Sequence, residues 1–208
     1  MLADGIAAAV EMVMSSSSDQ TRRTIILTAI ATAAHIAVSE SAAAADEGPP
    51  GSDERPNKAD VLVFSEGDRE GEIIKPQDLQ LGGPPVRAWP KDPKTSVIRS
   101  GSRLNEVVVV RLDPAELDDE TRARATDGIV AYSGICTHAG CPVTGWVPGD
   151  VGDKVVLKCF CHNSEFDPRQ GGQVGFGPAP RRLAALSLAA ADGSLTVTAP
   201  FAGKVGGT

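Results

Sequence analysis

Aromatic residues make up only 4% of this 208-residue chain, with one tyrosine and two tryptophans, and there are three histidines and four cysteines. So few aromatics, beside 22 glycines and 15 prolines, argue against a helical bundle with broad packed faces and suit a loop-rich β domain. Positive charge is short as well. Twenty Lys and Arg stand against 27 Asp and Glu, a net charge of −7, which excludes a basic nucleic-acid footprint. An acidic surface of this kind keeps a protein soluble and can also meet a basic partner. The sequence has no internal repeat, no phosphate-binding loop and no serine–histidine pair in nucleophile spacing.

No apolar run reaches the ~20 residues that a membrane-spanning helix needs. The nearest approach is Ile25 to Val38, which contains His35 and follows the pair Arg22-Arg23 in "TRRTIIL". It ends in "SAAAADEGPP", whose small residues suit a signal-peptidase site near Ala45. Paired arginines, a moderate apolar stretch and a small-residue end have the form of a twin-arginine signal, which directs an already folded protein to the periplasm. Residues 1–45 are expected to be that signal, cleaved rather than kept as a membrane anchor. Residues 46–58, "DEGPPGSDERPNK", are expected to be a flexible linker.

The remaining 59–205 are enough for one domain. "ADVLVF" (59–64) and "EVVVVRL" (106–112) are valine-rich and predict buried strands. "LGGPPVRAWPKDPK" (81–94) predicts a loop, since proline is excluded from central strands. "DPAELDDETRARATDG" (113–128) predicts one short helix, capped by Asp113, opened by Pro114 and ended by Gly128. "GIVAYS" (128–133) and "DKVVLKC" (153–159) predict strands, and 184–199 a closing hairpin turning at Asp192-Gly193.

All four cysteines and two of the histidines lie in two short boxes at the ends of predicted strands, "CTHAGC" (136–141) and "CFCH" (159–162). Three explanations compete: zinc, a disulfide framework, or an iron–sulfur cluster. Cys136 with His138 and Cys159 with His162 make a set of two thiolates and two imidazoles. Zinc accepts that set, and so does a [2Fe–2S] cluster with two cysteines on one iron and two histidines on the other. Cys141 and Cys161 are left over, and free thiols oxidise outside the cytoplasm. A stiff third loop, "GFGPAP" (175–180), is placed to cover whatever the two boxes hold.

C-T-H-x-G-C followed by C-x-C-H-x-S, with G-P-A-P downstream, resembles the Rieske iron–sulfur proteins of the cytochrome bc class, strongly over about 130–183. The resemblance implies an all-β, Rieske-type antiparallel β-sandwich or barrel with a small cluster-binding subdomain. It implies one [2Fe–2S] cluster per chain, with Cys136 and Cys159 on the inner iron and His138 and His162 on the outer, solvent-facing one. It further implies a Cys141–Cys161 disulfide, and a Ser164 hydroxyl given to a cluster sulfide. Gly177, Pro178, Ala179 and Pro180 match the family's proline loop. A tie across ~20 residues stabilises by roughly 3 kcal/mol in the chain-entropy model. One position departs: where the bc-type proteins carry a tyrosine, this chain has Phe166.

Phe166, the export signal and the shape of the loop after "FDPRQGG" look more like the small subunit of arsenite oxidase. The function expected is therefore periplasmic one-electron transfer as a subunit or partner of an oxidoreductase. The redox partners would be a large catalytic subunit, a cytochrome c, or both. The alternative is the Rieske subunit of a membrane quinol:cytochrome c reductase. Ferredoxins of ring-hydroxylating dioxygenases lack the two extra cysteines. Trp146 is expected either to face a partner or to pack over the base of the cluster lobe.

Overall fold

The computed structural model describes residues 48–207; the twin-arginine signal read at 1–45 lies outside them. Six antiparallel strands close a barrel: β1 (Val61–Phe64), β2 (Val86–Lys91), β3 (Val107–Arg111), β4 (Ile129–Ser133), β9 (Ala185–Ala191) and β10 (Ser194–Ala202), in the order β1-β10-β9-β4-β3-β2. A second, four-stranded antiparallel sheet, in sequence order, is inserted between β4 and β9: β5 (Gly145–Pro148), β6 (Val155–Cys159), β7 (Ser164–Asp167) and β8 (Gln173–Phe176). This is the all-β architecture expected, with a separate lobe for the boxes.

The valine run of β3 explains how the two sheets meet. Alternate residues of a strand point to opposite faces. Val107 and Val109, with Ile129 and Ala131 of β4, fill the barrel beside Leu62, Leu186 and Leu195. Val108 and Val110, with Val130 and Tyr132, turn outward and are covered by Leu157, Phe166 and Leu183. A strand buried on both faces reads as a continuous apolar run rather than as an alternation. The closing hairpin turns as the sequence predicts, with Asp192 at φ 50° and Gly193 at 74°, the left-handed pair of a tight two-residue turn.

Three expectations are corrected. The stretch 81–94 is not all loop, because β2 runs through it. Its Pro90 pairs with Leu62 of β1, while β3 pairs with β2 only at Val86, Arg87 and Ala88. The missing N–H of Pro90 therefore costs no bond to β3. The helix at 113–128 is broken into a 3-10 turn at Pro114–Glu116 and one α turn, α1 (Asp119–Arg122). Leu117, 3% exposed, drops into the core between them, and Asp118 restarts the helix by accepting from the Thr121 N–H at 2.7 Å.

The segment 46–58 is no free tether where it is described. Ser52 and Pro56 are buried, and Arg99 reaches Gly51 O at 3.2 Å and Glu54 at 2.8 Å. The same guanidinium grips Asp60 with Nε–Oδ2 at 2.6 Å and Nη2–Oδ1 at 3.1 Å, the two side chains being 5% and 3% exposed. Removing one partner of a buried ion pair leaves the other charge desolvated. Asp60→Ala is therefore expected to lower unfolding stability by about 3–5 kcal/mol in urea titration. A loss near zero would show that Glu54 and water satisfy Arg99 without Asp60.

Candidate metal centre

The first box is carried by a loop that leaves β4 and folds straight back. Ile135 pairs with Pro142 across it. The Cys136 N–H donates to Cys141 O at 2.7 Å and the Gly140 N–H to Cys136 O at 3.1 Å. Gly140 sits at φ 71°, where a side chain would be strained. The second box is the tip of the β6–β7 hairpin. Cys159 and Ser164 are directly paired, so Phe160, Cys161, His162 and Asn163 form the loop between them. Asn163, at φ 58°, takes the left-handed position that asparagine tolerates best among the non-glycine residues.

The third loop closes against the second. Gly177 has φ 88°, and a Cβ on it would lie 2.6 Å from both Asn163 O and Ser164 Cα. Only glycine fits that approach. Two residues on, the Ala179 N–H donates to Ser164 Oγ at 3.2 Å. Ser164 is fully buried. Its oxygen thus accepts from the proline loop while its own proton stays available to an acceptor in the site.

The structure brings the predicted residues together in three groupings. Cys136 and Cys159 are each 1% exposed and share one buried cluster with Phe166, Leu157 and Ala179. The rings of His138 and His162 stand edge to face with centroids 4.6 Å apart and planes at 84°. The sulfurs of Cys141, Cys159 and Cys161 all lie within 4.8 Å of one another. The Cys141–Cys161 disulfide implied by the resemblance is not formed here: all four cysteines are free. Hydrogen bonding with Cys161, and secondarily burial, holds the Cys141 thiol above its ordinary pKa. Burial pushes the Cys159 thiol up to about 12. That sulfur becomes a thiolate at neutral pH only beside a compensating positive charge, which a metal supplies.

A second feature fits a metal. Nδ1 of His138 is buried and has no hydrogen-bond partner among the described residues. A buried, unpaired imidazole nitrogen is costly unless something coordinates it. Two buried sulfurs, two imidazoles at one mouth and a serine proton left to give match the donor set of a histidine-ligated [2Fe–2S] cluster.

One supporting residue escaped the sequence reading. Thr137, 1% exposed, donates its hydroxyl to Arg181 O at 2.6 Å; its place inside the first box was the available signal. Of the two placements expected for Trp146, the structure shows the packed one: it is half-buried against the cluster that holds Cys136, Cys159 and Phe166. Its indole N–H donates to Gly82 O at 3.1 Å, and a Cβ on Gly83 would come within 2.5 Å of that nitrogen.

Residues 87–187 match the family described as Rieske [2Fe-2S] domain. The cytochrome bc1 complex Rieske iron-sulfur subunit of Streptomyces lividans is 36% identical over 102 residues, 48% of this chain and 58% of that one. The ubiquinol-cytochrome c reductase iron-sulfur subunit of Rhodospirillum rubrum is 40% identical over 84 residues, 38% of this chain and 44% of that one. The chain thus matches about half the length of these relatives. Among solved structures, the soluble domain of the Rieske protein II from Sulfolobus acidocaldarius is 21% identical, with TM-score 0.36, covering 48% of this chain and 66% of that one.

With metal and reductant-sensitive bonds removed, exposure and pKa order the thiols. Iodoacetamide at pH 8 is expected to label exposed Cys161 first and Cys159 last, read by peptide mass spectrometry. Equal labelling of the two would show that Cys159 is not held in the buried cluster.

Proposed function

We infer, from a chain whose residues 87–187 form a Rieske [2Fe–2S] domain, that it passes single electrons between redox partners. The observation that carries this is the edge-to-face pair of His138 and His162 in the same two boxes as buried Cys136 and Cys159. The cluster supplies a one-electron couple. The protein's part is to bury the cysteine side, present the histidine side to a partner, and set the potential. Cys136 and Cys159 would hold one iron and His138 and His162 the other, and Ser164 would give its proton to a sulfur acceptor.

We place the protein in the periplasm, reached by the twin-arginine route read at Arg22-Arg23, as the small subunit or partner of an oxidoreductase of the arsenite oxidase kind. The large subunit carries the substrate chemistry, and a cytochrome c is the acceptor. Phe166 and the short apolar run support this reading. Among the described residues no helix is long and apolar enough to cross a membrane. In that compartment Cys141 and Cys161 join as a disulfide, which their closeness within 4.8 Å favours. A second reading, the Rieske subunit of a quinol:cytochrome c reductase, is favoured by the 36% identity to the Streptomyces lividans subunit.

Purified protein is expected to hold two irons and two acid-labile sulfides per chain. Reduction with dithionite should give a rhombic EPR signal with a mean g below that of all-cysteine clusters, because imidazole donates less charge than thiolate. Stoichiometric zinc with no EPR signal would sink the reading. The same native material should be released from the periplasm, begin near Asp46, and yield a Cys141–Cys161 linked peptide without reduction. Recovery of an intact N-terminus in the membrane fraction would favour the second reading.

Hydrogen bonds to cluster sulfurs favour the reduced, more negative state and raise the potential. Ser164→Ala should lower it. Phe166 is fully buried in the cluster that contains Cys136 and Cys159, so the hydroxyl of Phe166→Tyr is expected to reach a ligand thiolate. One net hydrogen bond of about 0.5–1.5 kcal/mol corresponds to a rise of about 20–65 mV for a one-electron couple. Protein-film voltammetry reads both. An unchanged or lower potential in Phe166→Tyr, with the cluster intact, would show that this side chain points away from the ligand sulfurs.

A further inference from the structure

Arg181 follows the proline loop directly and lies at the meeting point of three segments. Its carbonyl accepts the hydroxyl of Thr137, between Cys136 and His138, at 2.6 Å. Its guanidinium donates through Nη2 to Gly206 O near the C-terminal end. From there the chain runs under the first box. A Cβ on Gly207 would lie 2.9 Å from His138 O and 3.1 Å from Gly140 N. Gly206 is buried at φ 78°, against Leu104 and Ile135. Arg103 also donates to Gly140 O of the same loop at 2.6 Å.

These contacts form a closed ring: box one to Arg181, Arg181 to Gly206, and Gly207 back to the His138 carbonyl. A side chain at position 207 would crowd the His138 carbonyl, and the Arg181 side chain spans from the proline loop to the C-terminal segment. Nε of Arg181 is also buried without a partner among the described residues. A guanidinium that keeps one buried N–H unpaired is costly in itself. The arrangement is thus better explained by what Arg181 holds than by its own comfort.

We propose that Arg181 and Gly206–Gly207 form a clasp that positions His138, so that the C-terminal segment governs both the rigidity and the potential of the metal centre. Arg181 is a positioning residue; it touches the ligand loop through Thr137 and through the C-terminal segment. Its fixed positive charge beside the loop additionally favours the reduced state. The potential component of this proposal rests on the Rieske reading, while the rigidity component does not.

The test compares full-length Arg181→Gln, Arg181→Lys and Gly207→Ala with the parent. Arg181→Gln is expected to speed amide hydrogen exchange in 136–141, and loss of iron to a chelator, about tenfold, the effect of losing one charge-assisted hydrogen bond. At a fixed potential its reduced-to-oxidised ratio should fall about threefold, or about 28 mV for a one-electron couple. Arg181→Lys keeps the charge and should restore the potential but not the protection from exchange. Gly207→Ala leaves every charge in place and should raise exchange in 136–141 by pushing on the His138 carbonyl. Parental exchange in both Arg181→Gln and Gly207→Ala would overturn the clasp, whatever the potential does. A parent lacking the EPR signal of an iron–sulfur centre would instead overturn the functional reading, with the exchange data still deciding the clasp.

Discussion

The rest of the structure depends on β3 and β4 being covered on both faces. The inward residues Val107, Val109, Ile129 and Ala131 close the barrel. Their outward neighbours Val108, Val110, Val130 and Tyr132 are the floor on which the metal-binding lobe sits. One pair of strands thus supplies four residues to each hydrophobic core. Hydrophobic burial is non-directional and sets no angle by itself. Direction comes from polar contacts placed at the same seam. The hydroxyl of Tyr132 donates to Pro168 O at 2.7 Å, and Arg169 joins Glu116 at 2.8 Å and Val155 O at 2.9 Å. Apolar area holds the two sheets together, and these few bonds fix how they are turned.

On that floor the metal residues are placed by backbone register. Cys159 and Ser164 meet because they are opposite residues of a hairpin. Cys136 is held because Ile135 and Pro142 close a narrow loop beneath it. The result is a gradient of exposure across a few ångströms, from cysteines 1% exposed to an exposed His162. The low-dielectric side stabilises a fixed charge arrangement. The wet side is where a partner can approach.

The two boxes were legible in the sequence because metal chemistry admits few residue types and fixes their spacing. β3 was legible for a related reason, since burial on both faces demands an uninterrupted apolar run. The closing hairpin was marked by Asp192-Gly193. What the sequence hid was decided by distant partners. β2 survives Pro90 because β3 does not pair with it there. The helix at 113–128 breaks because Leu117 finds a core site, which no local propensity encodes. The arm at 48–58 has the composition of a tether and is held by Arg99, some 45 residues away. Thr137 and Arg181 bond to carbonyls 44 and 25 residues distant, and a carbonyl carries no sequence signature.

Trp146 has a consequence for how the lobe is carried on the barrel. Its indole is stapled to Gly82 and wedged against the bare α-carbon of Gly83, while Tyr132 and Arg169 bind the same seam through Pro168 O and Glu116. A lobe fastened at several points resists swinging on the barrel. The histidine mouth therefore keeps a constant attitude toward the barrel. If the centre passes electrons as proposed, its distance to a partner changes chiefly by moving lobe and barrel together.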